Sequence, residues 1–148
     1  MNNPPAQDWI RAITVRQPWT TCIVTGHKTI ENRPRPWSWR GWLLLHSSQR
    51  LDTAALRDPL VARTIRGHDL PTGAVIGVAR LTGCHQDPEG APLCSPWALP
   101  HANHLVLADA QALALPIPAA GALGPWKPSQ DLVEQVQLQL PHLRPPVS

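Results

Sequence analysis

At 148 residues the chain suits one domain, long enough to bury roughly two thirds of its unfolded surface without disulfides or a structural metal. Its 13 Lys+Arg against 10 Asp+Glu make it mildly basic, which is compatible with a nucleic-acid partner but far from a polycation. Three cysteines without a CxxC pair exclude a disulfide framework and a zinc ribbon, and no stretch approaches the roughly 20 apolar residues that span a bilayer.

In chain order, residues 1–11 carry a Pro-Pro pair among polar neighbours and read as a flexible N-terminal arm. They contain no basic segment followed by an apolar run, so a cytoplasmic protein without a membrane partner is expected. Residues 12–16 predict a short β-branched strand with Ile13 and Val15 on one face. Pro18 suits the first position of a helix, where its missing N–H costs nothing, and Trp19, Cys22 and Ile23 form that helix's apolar face. Gly26 supplies a left-handed cap.

Residues 28–33 then read as a strand, because Thr29-Ile30 is β-prone and Pro34 and Pro36 stop a helix. Alternation sets Thr29, Glu31 and Arg33 on one face and Ile30 on the other. The loop 34–41 is rigid and carries Trp37, Trp39 and two arginines, a composition suited to recognition. Residues 42–47 predict a central strand that is apolar on both faces and ends in His46-Ser47-Ser48.

Asp52 is expected to cap a helix running to Ile65, broken by Pro59. Residues 74–81 form another buried strand in which Gly77 marks a bulge or close packing. Residues 84–100 are proline-rich and irregular. Residues 104–108 and 113–115 read as further strands, and 121–126 is a glycine-bearing loop that ends at Trp126. A final helix begins at Pro128-Ser129, with a flexible tail over 141–148. The body, 12–140, is one domain.

Candidate chemistry is concentrated in GHKTIENR, residues 26–33, where Lys28, Glu31 and Arg33 lie within six residues beside apolar, tryptophan-bearing segments. A Glu and an Arg two apart on one strand can both line one concavity. Aromatic usage is confined to seven Trp, with no Phe or Tyr, and Trp37, Trp39 and Trp126 offer stacking faces. Cys84, His85 and Cys94 could supply three zinc ligands, but ordinary packed cysteines are the simpler reading, so neither metal nor cofactor is expected.

The motif G-x-K-x-x-E-x-R (Gly26, Lys28, Glu31, Arg33), the following WRGWLLLHSS and the late GALGPW segment together resemble the ASCH (activating signal cointegrator homology) family over about residues 12–136. That resemblance implies an α+β domain, a small PUA-like β-barrel with flanking helices, that binds RNA or other single-stranded nucleic acid, or a modified nucleoside. The expected ligand-binding set is Lys28, Glu31, Arg33, Trp37, Trp39, His46, Ser47 and Trp126. The family also implies an alternative, a small hydrolase. It would be either an amidohydrolase of the N4-acetylcytidine type or a metal-independent ribonuclease, with Lys28 and Glu31 catalytic. The acetylcytidine branch carries threonine at the position of Glu31.

Overall fold

Strand alternation and helical spacing sort the apolar residues onto two faces of one sheet, and the computed structural model, which describes residues 8–147, builds on that division. The elements are β1 (Ile10–Gln17), α1 (Trp19–Val24), β2 (Ile30–Arg33), β3 (Gly41–Leu51), a 3-10 turn (Ala54–Arg57), α2 (Pro59–Ile65), β4 (Ala74–His85), β5 (Asn103–Pro118) and α3 (Gln130–Gln139). Ile10, Ala12 and Leu44 point to one face, where Leu132, Val133 and Val136 of α3 cover them. Ile13, Val15, Leu43 and Leu45 point to the other, beneath Ile23 of α1. Both faces are therefore dry, which accounts for the unbroken apolar runs in β3 and β4.

The strand order is β1-β3-β4-β5-β2, with β1 parallel to β3 and the other pairs antiparallel. Among the described residues no ladder joins β1 to β2, so the sheet stays open. This corrects the small β-barrel that the family resemblance implied; the α+β class stands. Two local causes keep the edges apart. β2 stops after four residues at Pro34, which has no N–H to offer a ladder. The outer edge of β1 is taken by Trp126, which exchanges two backbone hydrogen bonds with Ala12 at 2.8 and 3.0 Å.

Local signals explain the helices. Gly26 takes φ 85° after α1, and its N–H donates to the Ile23 carbonyl at 2.9 Å. Asp58 caps α2 through the Leu60 N–H at 2.9 Å, and Pro59 divides this helix from the 3-10 turn, as expected. Ser129 caps α3 through Leu132 N–H at 3.1 Å. Boundaries differ from expectation in several places. β1 begins at Ile10, which is fully buried and falls inside the span expected to be an arm; residues 1–7 of that span lie outside the described residues. β2 begins at Ile30, two residues late, because the Lys28 N–H is claimed by the Cys22 carbonyl of α1 at 3.0 Å. The two strands expected beyond residue 103 are one long β5, whose register shifts and left-handed Asp109, φ 55°, absorb the irregularity. Within the stretch expected to be a flexible tail, Leu143 is buried against α3, while residues 144–147 are exposed. No helix among the described residues is long and apolar enough to cross a membrane.

Candidate functional site

Because β1 and β3 run parallel, their C-terminal ends emerge side by side, with Val15 opposite Ser47 and Gln17 opposite Leu51. Arg16 and Arg50 are carried out together at that end. The open gap between β1 and β2 completes a cleft of about 580 Å³, floored by Thr14 and Val15, walled by Glu31 and Arg33, and rimmed by Ala122 and Leu123. Arg33 spans the gap: its guanidinium donates to the Thr14 carbonyl at 3.5 Å and lies 5.4 Å from the Trp37 ring centroid. Among the described residues Arg16 and Arg50 form no ion pair. Two unpaired, exposed guanidiniums and a third held in a gap make an anion-receptive surface.

A second pocket of about 270 Å³ shares Trp19, Glu31 and Asp52 with this cleft and is closed by Trp97. Lys28 lies at its wall and is only 2 % exposed. Its ammonium donates to the Ile30 carbonyl, pairs with Glu31 at 3.4 Å, and sits 5.3 and 5.8 Å from the Trp19 and Trp97 ring centroids. A buried ammonium survives only with such partners, here a carboxylate, a carbonyl and two π faces. Glu31 is thus held between Lys28 and, at 3.8 Å, Arg33. The Trp19 indole N–H donates to Asp52 Oδ2 at 3.0 Å, which fixes one aromatic wall. The other is fixed by Asn32, whose amide donates to the Trp97 carbonyl at 2.8 Å and accepts from the Leu99 N–H at 2.9 Å.

The remaining sequence-predicted residues divide by position. His46 lines an adjoining recess with Thr14 and Gly121; its Nε2 faces the Ala119 carbonyl at 2.7 Å, and its buried Nδ1 has no hydrogen-bond partner among the described residues. Trp126 stands edge-on to His46 at 5.9 Å and donates its indole N–H to Thr14 Oγ1 at 3.0 Å. Ser47 is fully buried, its hydroxyl donating to the Pro71 carbonyl at 2.6 Å. Trp37 is buried in the core below Arg33. Trp39 packs on Gly41, with Arg11 5.6 Å from its ring centroid. The structure therefore gathers Lys28, Glu31 and Arg33, keeps His46 next door, and sets Ser47, Trp37, Trp39 and Trp126 outside the cleft lining.

Sequence reasoning missed Arg16, Trp19, Arg50, Asp52 and Trp97 as site residues. The arginines follow apolar strand segments, a signal that needs the parallel β1–β3 pairing to mean anything. Trp19 had been assigned wholly to helix packing.

The family model for the ASCH domain matches residues 13–137. No curated protein matches the chain. The crystal structure of ASCH from Zymomonas mobilis is 17% identical, covers 96% of this chain and 86% of that one, and superposes with a TM-score of 0.49. A serine-to-alanine mutant of the Zymomonas mobilis protein gives 17% identity, 97% and 87% coverage and a TM-score of 0.48. A tyrosine-to-phenylalanine mutant gives 19%, 95%, 87% and 0.42.

Proposed function

The chain belongs to the ASCH domain family, and on that premise we propose that the cleft between β1 and β2 binds single-stranded RNA. The observation that carries this reading is the convergence of Arg16, Arg33 and Arg50 on one cleft that opens into a tryptophan-walled pocket. Guanidiniums take phosphate oxygens in a bidentate fork, which sets the strand's path without reading its sequence. Trp19 and Trp97 offer ring faces to a base turned out of that path, and Glu31 accepts from an exocyclic amine. Lys28 acts through Glu31, holding the carboxylate in position. A base paired in a duplex cannot enter such a pocket, so unpaired strands are preferred.

The test is equilibrium binding of one labelled RNA, single-stranded and annealed. The single strand should bind at least about tenfold more tightly, and Arg16→Ala with Arg50→Ala should weaken it severalfold. Equal binding of both forms, or an unaffected double variant, overturns the reading.

One observation favours hydrolysis of a modified nucleoside as a second reading: Lys28 and Glu31 lie 3.4 Å apart at the wall of a pocket wide enough for a base. Glu31 would deprotonate a water and Lys28 would meet the developing oxyanion. Acetate released from N4-acetylcytidine, and abolished by Glu31→Gln, supports it; an intact nucleoside removes it.

A further inference from the structure

Among the residues that line neither the cleft nor its tryptophan-walled pocket, one group of polar side chains takes no part in the site described. His85 ends β4, His104 lies opposite it in the β4–β5 ladder, and Asp87 and Cys94 belong to the loop that joins the two strands. One ligand atom from each of the four lies within 4.8 Å of all the others. His85 Nε2 is 3.2 Å from Asp87 Oδ1, His104 Nδ1 is 3.5 Å from Asp87 Oδ2, and Cys94 Sγ is 3.6 Å from His104 Nδ1. A tetrahedron with bonds of about 2.0–2.1 Å to nitrogen or oxygen and about 2.3 Å to sulfur has edges of roughly 3.3–3.6 Å; the three contacts lie at or near that range, and the set as a whole, within 4.8 Å, encloses a zinc ion after contracting by up to about 1 Å.

The outer partners fit as well. His104 is completely buried, and its Nε2 faces the Leu99 carbonyl at 2.8 Å. A proton on Nε2, donated to that carbonyl, leaves the Nδ1 lone pair aimed into the cluster, the arrangement that orients a metal-bound imidazole. The Cys94 backbone N–H donates to Asp87 Oδ2 at 2.9 Å, which fixes the carboxylate and holds its pKa below the usual range.

We propose that His85, Asp87, Cys94 and His104 form a structural zinc site that staples the 86–102 loop to the sheet. Two imidazoles, a thiolate and a carboxylate are the donor set of zinc, whereas magnesium and calcium require oxygen ligands. Four protein ligands close the coordination shell, so the ion serves structure. Cys94 enters as thiolate and its proton leaves to solvent on binding. The set that the sequence offers and sets aside in favour of packed cysteines, Cys84, His85 and Cys94, differs from this one: Cys84 packs on the apolar side with Leu81 and Leu105, as the simpler reading has it.

The test uses the full chain stripped by chelator and titrated with Co2+, then Zn2+. One equivalent of Co2+ should give the visible bands of a tetrahedral ion with a thiolate charge-transfer band, and Zn2+ should displace it and raise Tm. Cys94→Ser, which alters an exposed residue, should abolish the charge-transfer band, Asp87→Asn should weaken uptake by more than about tenfold, and Cys84→Ser should change neither. Absence of stoichiometric uptake at micromolar metal, or a charge-transfer band that survives Cys94→Ser, overturns the proposal.

Discussion

Lys28 is the side chain whose loss should be felt first as instability. It is 2 % exposed, and removing it leaves Glu31 facing only Arg33 at 3.8 Å. Lys28→Met should cost about 3 kcal/mol in urea unfolding, the usual penalty for breaking a buried pair; a loss under about 1 kcal/mol would show that Glu31 is not dependent on it. Arg50→Ala behaves oppositely. Arg50 is exposed and unpaired among the described residues, so stability should move by less than about 0.5 kcal/mol while RNA affinity falls. At this scale the sequence disclosed what parity controls: Glu31 and Arg33, two apart on a strand, do line one cleft. It did not disclose which tryptophans line the pockets. Trp37 and Trp39 share a loop of recognition composition, yet one is core and the other packs on Gly41, because a composition carries no direction. Trp97 lay in a stretch without periodicity, and only its tie to Asn32 brings it to Lys28.

Gly77 tests the account at the scale of elements. A Cβ there would stand 2.2 Å from Val24 Cγ1 of α1 and 2.5 Å from the Gln111 carbonyl of β5. Gly77→Ala therefore has to push α1 off β4 or distort the β4–β5 ladder, and should lower stability by about 2–3 kcal/mol with RNA affinity reduced, since α1 carries Trp19. Unchanged thermal stability in that variant would mean the helix does not rest on the sheet as described. The elements themselves were legible because their signals are local: alternation marks β1, apolar runs mark β3 and β4, and Gly26 and Ser129 mark helix ends by backbone chemistry, whereas α2 is capped by Asp58 and not by the expected Asp52. Pairing was not legible. Nothing in residues 12–16 says that they lie parallel to 42–47, or that four residues of β2 find the start of β5, because those choices are made by contacts distant in sequence. The closed barrel came from the family resemblance, and the Pro34 stop and the Trp126 bridge explain why the edges remain apart.

For the whole molecule, charge and burial act through pH and salt. Burial pushes the Cys22 thiol up to about 11 from its ordinary 9.0, against the pull of nearby Lys28. Below pH 9 the thiol is protonated folded and unfolded alike. Between about pH 9 and 11 only the unfolded chain ionises, so stability falls across that window. Cys22→Ala should flatten this part of the stability curve relative to the parent chain, and an unaltered slope from pH 9 to 11 would place the loss on other groups. The central claim is that three arginines around an open sheet edge hold the phosphates of unpaired RNA. Its most direct test is the salt dependence of single-stranded RNA affinity for the parent chain, Arg16→Ala, Arg33→Ala, Arg50→Ala and Trp97→Ala. The account predicts that each arginine variant lowers the slope of log Kd against log salt by about 0.7, while Trp97→Ala weakens binding with the slope intact. A salt-independent affinity, or a slope that survives all three arginine substitutions, would contradict it.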